Sequence, residues 1–420
     1  MTSKTGSATT ASPTTPPADA QPSTAQPTGL DLLDPELYRG NPQELWAELL
    51  AGDTLARDRN GLWAVTQHAH LREAERRSAD FTSGPGYRSL PSADENNMIA
   101  LDDPEHLRQR RLVSGRFTPR AVRTHETWLR AAIGELLDAA TDADAATGRG
   151  EMEVIDELAS QLPCRLTARL LGFPEESWRD IKEWSEALMR IDEVERDQHA
   201  ALGLFNAVVA FNGVLQPLAE QRRAEPADDL VSVWANADVD EFTYDPTRLY
   251  HEVGLFIAGG AETTRTAIAH GLRAFCDHPE QWEYLAAHPE AIPTAVEEVI
   301  RFVTPLNNFF RTVDCDTTLA GTDLATGDRL ILLYPAANRD PRVFNDPTRF
   351  DITRSPNPHL GFGQGTHFCV GANLARYELT ILFEELTRRI RDLTPLSEPD
   401  VEANMFARAV RSFRLGFALR

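Results

Sequence analysis

The sequence has little of what would place it in several common classes. Four cysteines occur in 420 residues, at positions 164, 276, 315 and 369, and no two form a C-x-x-C pair. This argues against a disulfide framework or a zinc site and suits a reducing cytoplasm. No uninterrupted apolar run is long enough to cross a bilayer, and the N-terminus lacks the apolar core of a secretory signal. The net charge of −22 argues against general nucleic-acid binding, because phosphate contacts need a basic surface.

The chain divides by composition into a tail and one domain. Residues 1–29 are almost all Thr, Ser, Pro, Ala and Gln, so the sequence predicts a disordered tail. Residues 30–420 predict a single large domain that is mainly α with small β-sheets. Strands are expected at 61–67 and 329–338. Helical periodicity is expected at 121–142, 153–172, 175–190, 199–223, 247–277, 279–288, 290–303 and 371–390.

One segment departs from the acidic average. Residues 108–123, RQRRLVSGRFTPRAVR, contain six arginines and no acidic residue. Such a run is either a solvated charged face or a docking patch for an acidic partner, because complementary potentials steer protein association.

A glycine-rich loop surrounds one cysteine in GFGQGTHFCVGANLAR, residues 361–376. Zinc would need further Cys or His ligands nearby, and the bulky flanking phenylalanines do not suit an accessible nucleophile. A single axial thiolate on haem needs only Cys369. Gly363 and Gly365, which lack a Cβ, would let the backbone approach a flat macrocycle. A helix that begins just after the cysteine would stabilise the thiolate through its positive end.

Two other stretches combine helical periodicity with polar residues. In LFIAGGAETTRTAIAHGL, 255–272, Gly259 and Gly260 each cost roughly 1 kcal/mol relative to alanine in a helix. They indicate either close helix packing or a turn weakened so that its carbonyl, Thr263 and Glu262 can hold water and pass protons. In EEVIR, 297–301, Glu298 and Arg301 are spaced to pair on one helix face, which is a weak signal taken alone.

Together these motifs resemble the cytochrome P450 family of haem-thiolate monooxygenases. FGQGTHFCVG matches the haem loop of the family, GGAETT resembles its oxygen-activating motif, and EEVIR contains its E-x-x-R. DPEHLRQRRLV, ANRDPRVF and DPTRFD match lesser landmarks, and the resemblance runs from about residue 30 to 420. It implies the P450 fold, a haem b cofactor and the insertion of oxygen from O2 with two electrons.

The resemblance also implies residue roles. Cys369 would be the thiolate ligand of the iron, with Phe362 beside the sulfur and Gly363 and Gly371 in the cofactor loop. Thr263 would hold dioxygen or its water by a hydrogen bond, and Glu262 would relay protons from solvent; members that use peroxide directly commonly lack this pair. The residues expected to bind the haem propionates are His106, Arg110, Arg311 and His367. Those expected in a buried structural network are Glu298, Arg301 and Arg349.

Without a fused reductase, the chain is expected to receive electrons from separate proteins, a ferredoxin and its reductase. The basic segment lies where the family docks such partners, so Arg108, Arg111 and Arg116 are the expected contacts. The resemblance also implies a cytoplasmic bacterial enzyme without a membrane anchor.

Four regions are expected to line a mainly hydrophobic substrate pocket. The predicted pocket residues are Met98, Ile99, Ile257, Ala258, Ala261, Leu306, Asn307, Met405 and Phe406. Asn307, Asn308 and Asn404 are candidate polar anchors, although an Asn in such places more often shapes a turn. The motifs look most like those of actinobacterial steroid and branched-lipid hydroxylases.

Alternative functions remain at this stage. One is a tailoring hydroxylase or epoxidase for a polyketide, terpenoid or macrolide. A different class is a haem-based ligand sensor, which would have no need of the Glu262–Thr263 pair. An isomerase-like use of the same haem site is a third.

Overall fold

The mainly helical fold predicted from the sequence is confirmed. The computed structural model describes residues 29–40, 42–91, 95–141, 147–237 and 245–420. The predicted tail at 1–29 lies outside these residues except for Gly29. The helices found in the described residues are α1 (Glu36–Arg39), α2 (Gln43–Ala51), α3 (His68–Arg76), α4 (Glu105–Ser114), α5 (Pro119–Val122), α6 (Glu126–Thr141), α7 (Gln161–Leu171), α8 (Trp178–Met189), α9 (Gln198–Ala224), α10 (Leu230–Ala235), α11 (Pro246–Asp277), α12 (Pro279–Ala287), α13 (Ile292–Val303), α14 (Tyr334–Ala337) and α15 (Ala372–Arg389).

The strands form three small sheets in the described part of the chain. They are β1 (Ala56–Arg57), β2 (Trp63–Val65), β3 (Phe81–Thr82), β4 (Arg149–Glu153), β5 (Asn308–Val313), β6 (Thr317–Leu319), β7 (Thr322–Leu324), β8 (Arg329–Leu333), β9 (Ile390–Pro395) and β10 (Arg414–Leu419). The largest sheet has the order β1-β2-β8-β5-β3, and the others are β4-β10-β9 and the β6-β7 hairpin. The strand expected over 329–338 ends at Leu333, and the short helix α14 begins at Tyr334, with Pro335 in its first turn.

The long helix α11 passes through the core and packs against α7, α8 and α13. Its start follows from the sequence, because the Asp245 side chain accepts a hydrogen bond from the Thr247 N–H and Pro246 occupies the first turn. The helix continues unbroken through the two glycines. A Cβ on Gly260 would lie 2.7 Å from Thr167 Oγ1 of α7, so Gly260 allows the two helices to pack closely.

Helix α9 has one buried and one exposed apolar face. Phe211 is fully buried, whereas Leu202, Phe205 and Val209 are exposed. By length and composition alone, α9 is long and apolar enough to cross a membrane, and most of it lies outside the buried core. The sequence predicted no such segment because Asn and Gln residues interrupt the apolar run.

Candidate active site

A cavity of about 760 Å³ lies beside α11 and the loop that precedes α15. Side chains of α4, α7, α8, α9, α11, α15 and β5 also line it, and most of them are apolar. The predicted site residues found in its lining are Met98, Ile99, His106, Arg110, Ala258, Thr263, Leu306, Arg311, Phe362, Gly363, His367, Cys369, Gly371 and Phe406. The motifs identified in distant parts of the sequence therefore meet at one place.

Cys369 lies in the cavity wall at the end of its loop, just before α15 begins at Ala372. The Cys369 N–H donates to the Phe362 carbonyl over 2.9 Å, which closes the loop. The side chain is exposed to the cavity. The protein packed around it nevertheless raises the pKa of the thiol by desolvation, while backbone N–H groups at the start of α15 and the nearby Arg110 oppose this shift. The sulfur therefore faces the cavity with nearby donors that would favour its thiolate.

Two glycines of the loop are needed for different reasons. Gly363 and Gly365 have φ values of +67° and +72°, a region that favours glycine. A Cβ on Gly365 would lie 2.2 Å from the backbone oxygen of Glu75 in α3, and Gly365 does not line the cavity. Gly363 does line it. Of the two glycines expected to face a macrocycle, Gly363 is in place, whereas Gly365 lets the loop pack against α3.

Four nitrogen-bearing side chains gather in the cavity wall. The rings of His106 and His367 are 4.3 Å apart, and Arg110 and Arg311 line the same cavity. Arg311 Nη1 donates to the Phe310 carbonyl over 2.7 Å, and Arg110 donates to the Phe368 carbonyl. Among the described residues, no carboxylate is paired with either arginine.

The histidines and the arginines of this cluster differ in charge. Burial lowers the pKa of His106 and lowers that of His367 to about 2, with Arg311 and Arg110 adding to the effect at His367. Both imidazoles are therefore neutral near neutral pH, while the two arginines stay charged. His106 Nδ1 contacts Asp103 Oδ1 at 2.9 Å, and no described residue partners its buried Nε2.

This set of residues fits a haem. A thiol lies in the wall, and a glycine opens the loop beside it. Among the described residues, one buried imidazole nitrogen has no hydrogen-bond partner and two arginines have no carboxylate partner. Two guanidinium groups match the two propionates of haem b in charge, and such charge-assisted hydrogen bonds are strong.

Of the acid–threonine pair on α11, only the threonine faces the cavity. Thr263 Oγ1 donates to the Gly259 carbonyl over 2.8 Å, and both residues line the cavity. Glu262 is 1% exposed and points into the protein, where its carboxylate pairs with Arg265 and accepts from Thr266 Oγ1 over 3.2 Å. Burial raises the pKa of Glu262. The two candidate catalytic residues therefore do not meet in the cavity.

The E-x-x-R pair is the centre of a buried network. Arg301 Nε and Nη2 each donate to the Glu298 carboxylate over 2.8 Å, and both side chains are fully buried. Arg301 also donates to the backbone carbonyls of Asn338, Pro347 and Arg349. The pair therefore holds the chain segment that leads to the cysteine loop.

The predicted role of Arg349 in this network is wrong for its side chain. Arg349 contributes its carbonyl, while its side chain lies at an exposed position. The third charged partner is Arg354, whose Nε donates to Glu298 Oε2 over 3.1 Å. Arg354 follows a turn at Asp351 that directs it inward, and its role was not predicted from the sequence.

Two of the predicted pocket residues on α11 face the other way. Ile257 and Ala261 are buried in the main hydrophobic core and do not line the cavity. Ala258 and Gly259, on the adjacent face of the helix, line it instead. The prediction chose the apolar stretch correctly but not its face.

Three asparagines expected to anchor a substrate instead hold the backbone of the 404–407 loop. Asn307 and Asn308 donate from their Nδ2 atoms to the Met405 carbonyl, over 3.2 and 2.9 Å. Asn404 Oδ1 accepts from the N–H groups of Phe406 and Ala407, over 2.8 and 2.9 Å. None of the three lines the cavity, and Met405 is buried under the large sheet. Of this loop, Phe406 reaches the cavity.

Other cavity residues were not predicted from the sequence. They come from α7, α8 and α9, whose apolar faces read as ordinary core: Leu166, Leu170, Leu188, Met189, Leu204, Val208 and Phe211. Arg88 also lines the cavity, with its guanidinium 3.5 Å from the centre of the Phe406 ring. Arg88 Nε donates to Asp192 Oδ2 over 2.7 Å, which joins the loop before α4 to the segment between α8 and α9.

Comparisons with known proteins agree with this geometry. The family model described as cytochrome P450 matches residues 290–411. A steroid C26-monooxygenase of Mycolicibacterium smegmatis is 35% identical over 87% of this chain and 89% of its own length. A steroid C26-monooxygenase of Rhodococcus jostii is 34% identical over 93% of this chain and 85% of its own. A Mycobacterium marinum cytochrome P450 solved in complex with pseudoionone has a TM-score of 0.85 at 32% identity, covering 94% of this chain and 99% of that one.

The buried network predicts different effects for two neighbouring arginines. Glu298→Ala leaves Arg301 buried without its partner, which is expected to lower the free energy of unfolding by about 3–5 kcal/mol. Arg354→Ala should also destabilise the protein, whereas Arg349→Ala should change it by less than about 0.5 kcal/mol because its side chain is exposed. Urea unfolding monitored by tryptophan fluorescence measures all three. Equal losses for Arg349→Ala and Arg354→Ala would contradict the assignment.

Proposed function

The chain belongs to the cytochrome P450 family and is a haem monooxygenase, and we propose that it hydroxylates an aliphatic C–H bond of a steroid or a branched lipid. The observation that carries the proposal is the deep apolar cavity shared by Cys369 and Thr263. Such a cavity suits a hydrophobic ligand with few polar groups. Two relatives that cover most of the chain carry the name steroid C26-monooxygenase.

Bound haem would supply the iron centre that activates O2. The protein's part in this proposal is to hold the cofactor, exclude water and deliver protons. Cys369 would ligate the iron, with Phe362 packed beside it under the Arg376 guanidinium, 4.4 Å away. Arg110 and Arg311 would each bind a propionate, and His106 Nε2 and His367 would complete the hydrogen bonds. The assignment is supported by the buried His106 Nε2, which has no partner among the described residues, and by two arginines that have no carboxylate partner there.

The far part of the cavity would hold the carbon skeleton of the substrate. Met98, Ile99, Leu306 and Phe406 line it, together with side chains of α8 and α9. Arg88 is the cationic group beside this apolar surface, and its charge is balanced by Asp192. A long hydrophobic molecule with at most a small polar end is therefore the best match.

A terpenoid substrate is the second candidate. The Mycobacterium marinum P450 solved with pseudoionone resembles this chain over nearly the whole length of both. A tailoring role on a terpenoid or macrolide would use the same cavity and the same haem site, so direct binding must separate these substrate classes.

An optical titration of the ferric protein tests the substrate class. The panel is a steroid with an aliphatic side chain, a branched fatty acid, a terpenoid ketone and a macrolide aglycone. Displacement of water from the iron shifts the Soret band, and we expect a saturable shift, with the lowest Kd for the steroid or the branched acid. A shift with the terpenoid or macrolide alone would overturn the steroid proposal.

Two neighbouring residues supply matched variants for this titration. Phe406→Ala removes an aromatic wall of the cavity and is expected to raise the Kd of the preferred ligand about tenfold, or ~1.4 kcal/mol. Met405→Leu changes a side chain that does not face the cavity and should leave the Kd unchanged. Equal effects of the two variants would show that the ligand binds elsewhere.

We also propose a proton path through α11. The Glu262 carboxylate pairs with Arg265, which pairs with Glu186, and Glu186 is 38% exposed. Arg265 keeps its proton and holds the two acids together on the side away from the cavity, so water beside the guanidinium would pass the proton from Glu186 to Glu262. Rotation of the Glu262 side chain towards Thr263 would carry a proton to oxygen in the cavity. A hydroxyl at 263 would hold the water or oxygen that receives it.

The path predicts that Thr263→Ala uncouples electron use from product formation. Haem binding should be unchanged, while product formed per electron pair should fall several-fold as peroxide rises. Thr263→Ser keeps the hydroxyl and should restore most of the coupling. Thr264→Ala removes a neighbouring hydroxyl that also lines the cavity and serves as control. Unchanged coupling in Thr263→Ala would remove Thr263 from the path.

Electrons must reach the haem from redox partner proteins, and we propose that a ferredoxin docks at α4. Arg108 pairs with Glu105 at 2.9 Å and Arg116 pairs with Asp228 at 2.6 Å, which reduces their free charge. Arg111 is exposed, and no ion pair to another described residue involves it. Two exposed apolar residues lie near this surface. Leu107 is part of α4, and the carbonyl of Phe368 accepts a hydrogen bond from Arg110 of α4. A cationic patch with an apolar centre suits an acidic partner.

Charge reversal tests this surface. Arg111→Glu is expected to lower the rate of ferredoxin-driven haem reduction several-fold at low salt, with a smaller effect at high salt because screening shortens the range of the attraction. Arg391→Glu, an equal charge change at an exposed position of β9, serves as control. A reduction rate and salt dependence like those of the wild type would place the partner elsewhere.

We assign the protein to the cytoplasm on the basis of its thiols. All four cysteines are free, and none lies in a disulfide. Free thiols are typical of a reducing compartment.

A further inference from the structure

Glu75 is a buried acid in the cavity that none of the motifs accounts for. It lies on α3, is 5% exposed and lines the same cavity as Cys369 and Arg311. It is also packed against the cysteine loop, because a Cβ on Gly363 would lie 3.0 Å from Glu75 Oε1. An acidic side chain is thus built into the wall of the site where the carboxylates of haem are expected.

The two oxygens of Glu75 have different surroundings. The Tyr334 hydroxyl donates to Oε1 over 2.6 Å, whereas Oε2 is buried and has no partner among the described residues. Because Oε1 accepts the hydrogen bond from Tyr334, Oε1 acts as the carbonyl oxygen of the acid. A proton on the acid would therefore sit on Oε2, which would then be a donor in need of an acceptor.

The charge balance of the cavity decides the state of this acid. Arg110 and Arg311 provide two positive charges, which the two propionates of haem b neutralise. An ionised Glu75 would add an unpaired negative charge beside them, which is costly in a buried site. Around Glu75, the Tyr334 hydroxyl, the Gln364 N–H and Arg311 favour the ionised form, yet burial outweighs them and raises the pKa of Glu75 to about 7. The other acidic and basic groups of α3 nearby, Arg72, Glu73 and Arg76, are exposed.

We propose that Glu75 is a neutral carboxylic acid that positions the haem, donating a hydrogen bond from Oε2 to the propionate that Arg311 also binds. Tyr334 holds the acid in the orientation that presents Oε2 to the cavity. Glu75 touches the edge of the cofactor and not the reacting atoms. The assignment does not depend on the identity of the substrate.

Infrared difference spectroscopy of the haem-loaded protein tests the protonation state. The wild type minus Glu75→Gln spectrum should contain the carbonyl stretch of a protonated carboxylic acid, and that band should move to higher frequency in Tyr334→Phe, because the carbonyl loses its donor. Glu378→Gln is the positive control, since burial raises the pKa of that cavity-lining acid to about 8. A Glu378 band without a Glu75 band would show that Glu75 is ionised and would overturn the proposal.

The rate of haem transfer to excess apomyoglobin tests the contact with the cofactor. Glu75→Gln keeps a neutral donor of the same shape and should lose haem within about twofold of the wild-type rate. Glu75→Leu removes the donor and should lose haem about tenfold faster, the effect of one hydrogen bond to a charged group. Wild-type haem loss in Glu75→Leu would overturn the proposal. If Glu75→Leu does not fold, Glu75→Ala takes its place. Haem loss from Glu75→Gln as fast as from Glu75→Ala would then overturn the proposal.

The reduction potential gives a third readout. Deprotonation of Glu75 adds a negative charge near the haem and favours the ferric form, so the potential of the wild type should fall as pH rises through the pKa of the acid. In Glu75→Gln the fall near the pKa of Glu75 should be absent, leaving only the fall at the higher pKa of Glu378, and in Glu378→Gln the fall near the pKa of Glu75 should remain. The same fall in all three proteins would assign the titration to another group and contradict the proposal.

Discussion

The buried ion pair between Glu298 and Arg301 is the interaction on which the site depends. Arg301 binds three backbone carbonyls between residues 338 and 349, and Glu298 accepts from the Asp351 N–H, Arg354 and Asn357. Two side chains of α13 thus hold some twenty residues of irregular chain. Asn338 Oδ1 then accepts from the Leu360 N–H over 2.7 Å. The cysteine loop begins at the next residue, so its position is set by charges that never contact the cavity.

Electrostatics within the cavity differ from those of the whole molecule. The chain carries a net charge of −22, yet the cavity wall near the cysteine holds two arginines without acidic partners and two histidines kept neutral by burial. Most of the remaining lining is apolar. Glu75 in the cavity accepts from the Tyr334 hydroxyl, and the buried Oε1 of Glu378 has no partner in the part of the chain that the structure describes. This separation gives a cofactor with two carboxylates one place where it fits.

The sequence allowed some features to be predicted well and others poorly, for physical reasons. The cysteine loop and the start of α15 follow from local chemistry, because Gly363 and Gly365 permit the positive φ values that the loop needs and the motif is contiguous. Adjacent positions on a helix are about 100° apart, so a motif such as Glu262–Thr263 cannot show which member faces the cavity. Arg349 was predicted in place of Arg354 because the turn that brings Arg354 inward leaves no clear mark in the sequence. The walls formed by α7, α8 and α9 were missed because a cavity lining and a packed core use the same apolar residues.

The 404–407 loop has a consequence for how such an enzyme can change. Its backbone is held by Asn307, Asn308 and Asn404, whose side chains bond to main-chain atoms and do not reach the cavity. The identity of the side chain at Phe406 has no part in those bonds. The backbone shape of the loop therefore depends on the three asparagines, and the shape of the cavity depends on the side chain at position 406. A loop organised in this way can acquire a new specificity by single substitutions without first losing its fold, which makes it a favourable point for evolutionary divergence and for engineering.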